Sequence, residues 1–171
     1  PLWNTEGGPG ASVNHFYRHL PPFDAADQAT AIADHVVRFF VSHLAANVQK
    51  FFLYTFHTWG SWKKEWTMMA HDGTLPPHAS ALSNLFWHLE GSKFVAYAKL
   101  PENRGWVARF DRPDGTAVLV MLPDAPLVPP PGALDLYGNP LHPGSPLTAN
   151  VGYLTVPAAE ADAAIAGLGG R

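Results

Sequence analysis

The run Lys50-Phe51-Phe52-Leu53-Tyr54-Thr55-Phe56-His57 constrains the fold more than any other stretch of this chain. Its residues are strand formers with almost no polar interruption, the pattern of a parallel strand covered on both faces. A parallel partner requires a crossover, usually a helix, between the two strands. The sequence supplies both. From Gln28 to Val48, Ile32, Val36, Phe40 and Leu44 recur at every fourth residue, while Asp34, Arg38 and Ser42 fall elsewhere on the wheel. This predicts an amphipathic helix whose start Asp24 or Asp27 can cap. Ahead of it, Pro1 to Gly8 reads as a short buried strand that ends on Glu6 and breaks at two glycines. Strand, loop, helix, strand is a β/α unit, and a carboxylate at the carboxyl end of such a strand stands where many α/β enzymes place a catalytic group.

The intervening loop, Pro9 to Gln28, is punctuated by Pro9, Gly10, Pro21 and Pro22 and carries His15, Phe16, Tyr17 and His19. Its aromatics either line a pocket or pin the loop to the surface. After the second strand, Thr58 to Pro77 brings Trp59, Trp62 and Trp66. Tryptophans just past a buried strand suit sugar rings or other flat apolar surfaces, although Trp62 and Trp66 read better as packing residues. A second helix is predicted from Pro77 to Glu90, with proline in its first turn and Gly91 at its carboxyl cap.

From Gly91 onward the hydrophobic period changes from about 3.6 to 2. Lys93 to Leu100, Gly105 to Asp111 and Thr116 to Leu122 read as antiparallel strands, the last two joined through the turn residues Arg112-Pro113-Asp114-Gly115. A proline-rich connection from Pro123 to Gly132 precedes a short strand, Leu134 to Tyr137, and a final one, Val151 to Val156. Five short strands with turn signals between them suggest a small sandwich. The expected organisation is thus residues 1–92 as β/α elements, 93–157 as an antiparallel β-sandwich and 158–171 as an Ala- and Gly-rich tail.

Composition narrows the chemistry. With 171 residues, 47% of them hydrophobic, the chain can bury a core, and its formal charge of -3 offers no basic patch for nucleic acid or for an anionic membrane. No window reaches the apolar length that spans a bilayer. The absence of cysteine removes disulfides, thiolate metal sites and cysteine nucleophiles. Nine histidines invite a metal reading. His15 and His19 are four apart but beside Pro21-Pro22, and His35 and His43 have no carboxylate at ligand spacing, so no metal site is expected. Nor is there a Gly-x-Ser-x-Gly nucleophile elbow for a Ser-His-Asp hydrolase.

Pro1 to Gly8, with its Thr5-Glu6-Gly7, resembles the seventh-strand segment of the clan A retaining glycoside hydrolases, (β/α)₈ TIM barrels in which this glutamate is the nucleophile. The order of the downstream elements is similar too. The helix from Gln28, the strand Lys50 to His57 with Trp59 after it, and the helix from Pro77 resemble the last helix, strand and helix of such a barrel. Phe110 to Leu122 and Asp135-Leu136-Tyr137-Gly138-Asn139-Pro140 resemble the β-sandwich appended to many of these enzymes, including the xylosidase-like family 39. The resemblance spans about residues 1–157. It implies a carboxyl-terminal fragment, the last β/α elements of a TIM barrel plus a β-sandwich, with a carbohydrate substrate and no cofactor.

Retaining hydrolysis uses two carboxyl groups about 5–5.5 Å apart, one ionised to attack and one protonated to release the leaving group. By the resemblance Glu6 is the first. The second follows an asparagine in this clan, and Glu65, Glu90, Glu102 and Glu160 lie in no such pair. Strand alternation puts Asn4 on the face of Glu6, in a barrel interior, and turns Trp3 toward a covering helix. His57 and Trp59, at the carboxyl end of the second strand, are the further candidates for substrate contact, with a structural hydrogen bond an equal reading for His57. The competing expectation is a non-catalytic carbohydrate-binding or structural β-module.

Overall fold

A computed structural model describes residues 2–7, 25–53, 68–69, 72–148 and 150–168. The chain divides into two compact units, Pro1–Ser83 and Asn84–Arg171. Helices and sheets are mixed in it.

In the first unit, β1 (Leu2–Gly7) and β2 (Val48–Leu53) lie side by side in parallel, and α1 (Ala25–Ala45) runs between them in sequence. The helix buries Ala33, Val36, Val37, Phe40 and Val41, a stripe at the i, i+3, i+4 spacing that one helical face requires. That stripe is rotated from the expected one, for Ile32 and Leu44 are only half-buried. Asp34 falls inside it and is buried, its carboxylate accepting a hydrogen bond from Arg38 Nε at 2.7 Å. The helix ends because Asn47 takes a left-handed φ of 56°, a conformation asparagine tolerates, and the chain turns directly into β2. Residues 54–57 of the expected strand, His57 among them, lie outside the described residues, as does Trp59.

Helix α2 (Pro77–Leu89) ends as its sequence predicts, at Gly91 with φ 68°, where Ser92 donates to Leu89 O through both its N–H and its hydroxyl.

The second unit is organised on one antiparallel sheet in the order β3 (Lys93–Lys99), β4 (Gly105–Asp111), β5 (Thr116–Pro123), β6 (Gly152–Pro157). Its innermost strand is β5, buried from Ala117 to Pro123. The alternate residues Ala117, Leu119 and Met121 join Val107, Leu154, Leu127, Leu147 and the residues Ala161 and Leu168 at the ends of α3 (Ala161–Gly167) in a single apolar cluster. Toward the other side His88 of α2 stacks on Tyr153 of β6, with ring centroids 4.8 Å apart.

The described residues of 93–157 form this single sheet rather than two facing ones. The strand expected at Leu134–Tyr137 is a turn-rich loop in which Leu134 makes one isolated bridge within the loop, to Pro140, and one to the sheet, at Tyr153 of β6. Asp135 explains why. Its carboxylate accepts hydrogen bonds from Tyr137 N–H, Asn139 N–H and Asn139 Nδ2, so the backbone is captured locally instead of entering a ladder.

Candidate functional site

Two parallel strands with a helix between them send their following loops out of the same edge of the sheet. Glu6 is the penultimate residue of β1, and Gly7 pairs with Leu53, the last residue of β2. The backbone of Glu6 therefore stands at the edge from which residues 8–24 and 54–67 depart. The ladder carries an irregularity between Asn4 and Gly7, where three steps along β1 match two along β2. That is the register of a β-bulge, a device that recurs beside active sites because it re-aims side chains.

Asn4 and Trp3 take sides other than those expected from the sequence. Asn4 pairs with Phe51 and is held on the α1 side, its Nδ2 donating to His43 Nε2 at 3.1 Å. His43 Nδ1 in turn donates to Phe39 O at 2.8 Å, which leaves Nε2 as the acceptor. Around this link Phe39, Phe40 and His43 pack on Phe51, with Phe40 and Phe51 centroids 4.7 Å apart. Trp3, expected beneath a helix, lies instead on the opposite face, about half exposed, with Lys50 Nζ 4.6 Å above its ring. The space under α1 is already filled by the phenylalanines, so the larger indole takes the open side. This corrects the placement of both residues: Asn4 is a strut between β1 and α1, and Trp3 with Lys50 forms a cation–π pair on the open face.

Two partners escaped the sequence reading. His43 carried a signal, since it follows Phe39 by one helical turn on the face toward β2. Lys50 carried none, because its proximity to Trp3 depends on strand register.

In the second unit, the half-buried guanidinium of Arg109 grips Asp111 through Nε and Nη2 at 2.8 and 3.0 Å, Asp162 at 2.8 Å and Ala158 O at 3.1 Å. The hydrogen bonds to Asp111 raise its pKa above the usual arginine value, followed by those to Asp162. Arg109 thus serves as a fastener between β4 and the chain leading into α3. A cavity of about 280 Å³ lies among Val128, Pro130, Pro131, Leu154, Val156 and Ala164. Its walls carry no ionisable group, so they supply no acid or base. Among the described residues no three His, Asp or Glu side chains converge as metal ligands, and no helix is long and apolar enough to cross a membrane. Comparison with family models, with curated proteins and with solved structures finds no match for this chain.

Proposed function

We propose that this chain is the carboxyl-terminal part of a retaining glycoside hydrolase, holding the last β/α elements of its barrel and an appended antiparallel β-domain, with Glu6 as the nucleophile. The observation that supports this most is the parallel pairing of β1 with β2 across α1, with Glu6 one residue from the carboxyl end of its strand. A nucleophilic carboxylate there attacks the anomeric carbon, and a protonated partner carboxyl about 5–5.5 Å away releases the leaving oxygen. His57 and Trp59, which follow β2 in the sequence, contact the sugar, and Asn4 acts on Glu6 by fixing β1 to α1 through His43. The reaction requires no metal and no cofactor.

Because the acid/base glutamate is not among these residues, the isolated 171-residue chain hydrolyses no glycoside. A longer protein that adds a strand ending in Asn-Glu does, and in it Glu6→Gln lowers kcat by at least about a thousandfold while leaving the circular dichroism spectrum unchanged. Glycan binding without turnover by that longer protein would instead establish a non-catalytic carbohydrate-binding module. Full activity of Glu6→Gln would end the nucleophile assignment.

A further inference from the structure

We propose that Pro130-Pro131-Gly132 is a strap that closes onto the outer edge of β6, pairing Gly132 with Thr155 and shutting the apolar groove beside α3. That edge is covered at one residue already. Leu134 N–H donates to Tyr153 O at 2.8 Å, and Tyr153 N–H donates back to Leu134 O at 3.0 Å. Because Tyr153 turns its backbone outward, Leu154 turns toward its β5 partner Leu119 and Thr155 turns outward again. In the antiparallel register that starts at Leu134 and Tyr153, the residue due opposite Thr155 is Gly132. It does not arrive there. Ala133 N–H donates to Pro130 O at 3.3 Å and Gly132 stands at φ +88°, a type II turn with proline and glycine at its two central positions. The turn swings the chain off β6 and leaves the groove of about 280 Å³ whose walls include Pro131, Leu154, Val156 and Ala164. Among the described residues no hydrogen bond reaches the outward N–H and C=O of Thr155.

The sequence of the strap suits both states. Gly132 is exposed and nothing lies within 4 Å of the point where a Cβ would stand, so no packing holds it in the turn. Glycine also takes an extended conformation as readily as the left-handed one. In the continued register Pro131 falls opposite Val156, at a position whose N–H would point away from β6, so the donor that proline lacks is not called for. Residues directly opposite share one face of the sheet, and the preceding such pair, Ala133 and Leu154, already lies in the apolar cluster. Closure brings the exposed Pro131 ring onto the half-buried Val156 in the same way. It exchanges the long bond of the turn for two bonds of the ladder. Closed, the strap fills the groove with its own proline; open, it admits an apolar group to Leu154 and Val156. The device involves no residue near Glu6 and stands or falls apart from the glycosidase reading.

The test reads the Thr155 amide of the 171-residue chain by solvent-exchange NMR, with the Leu119 amide of β5 reporting that the sheet is intact. Gly132→Ala and Gly132→Val penalise the left-handed φ of the open state and favour the extended, closed one, whereas Gly132→Asn tolerates the left-handed φ and keeps the strap open. Thr155 exchange slows at least about tenfold in the valine variant, less in the alanine variant, and stays within about twofold of the parent rate in the asparagine variant. Leu119 keeps its parent rate throughout. If valine opens the sheet, the alanine variant, the milder change, decides the matter. Thr155 exchange that is unchanged or faster in the variants with an intact sheet, or a slowing shared equally by Leu119, would overturn the proposal.

Discussion

Gly105 has a φ of +123°, and a Cβ placed on it would lie 2.2 Å from Leu122 O and 2.8 Å from Asp124 N. Both neighbours are backbone atoms, and Asp124 N–H is engaged with Arg104 O, so neither can retreat without opening the start of the β4–β5 ladder. Gly105→Ala therefore destabilises the protein by at least about 1–3 kcal/mol, measured as a lower urea midpoint. Gly115, also left-handed at φ +84° but with nothing within 4 Å, accepts Asn at a smaller penalty. His88 makes a second prediction. Burial lowers its pKa first and the nearby charge of Arg112 lowers it further, because Arg112 donates from Nε and Nη2 to the His88 carbonyl. The folded state thus holds the ring neutral where the unfolded chain, titrating near 6.5, takes up a proton. Its contribution is complete above about pH 6.5 and is lost as the pH falls below that value, levelling off under the folded pKa. Urea midpoints between pH 7.5 and 5.5 should fall less steeply in His88→Gln than in the parent chain.

Among the elements, the hairpins separate what could be read from sequence from what could not. The turn at Arg112-Pro113-Asp114-Gly115 was legible because each residue has a fixed preference. Proline sets the first φ, the Asp114 carboxylate accepts from Thr116 N–H and Oγ1, and glycine takes the left-handed position before Thr116 closes the loop on Arg112. The β3–β4 turn was not. Glu102 and Asn103 both have φ of 57°, and Arg104 N–H donates to Pro101 O at 3.1 Å, which is a type I′ turn. No propensity places glutamate in a left-handed conformation; the twist of the flanking strands imposes it. Glu102→Asn should relieve that conflict and raise stability by about 1 kcal/mol, seen as a higher urea midpoint with an unchanged slope. The candidate site divides in the same way. The place of Glu6 near the end of β1 followed from Gly7-Gly8, whereas the sides taken by Trp3 and Asn4 depended on which bulky rings filled the space under α1. Leu134–Tyr137 was misread because its apolar alternation says nothing of the Asp135 carboxylate competing for the backbone.

At the scale of the whole molecule, the second unit joins a local meander to one distant strand. Strands β3, β4 and β5 follow one another through turns of a few residues, but β6 reaches β5 only after the excursion 124–151. That excursion is anchored rather than loose: Leu127 and Leu147 are buried in the sheet's apolar cluster and bridged to each other. Contacts close in sequence form quickly, whereas bringing β6 home requires the entropy of a long loop closure to be met first. The meander is accordingly expected to form the folding nucleus, with the excursion locking afterwards. Leu147→Ala, which removes a buried anchor at a cost of about 2–5 kcal/mol, should then appear in stopped-flow experiments almost wholly as faster unfolding, with the refolding rate unchanged. The same loss placed at Val107, inside the meander, should slow refolding instead. On that expectation the long connection between β5 and β6 is a latch on the lifetime of the folded state, separate from the strands that decide how fast that state is reached.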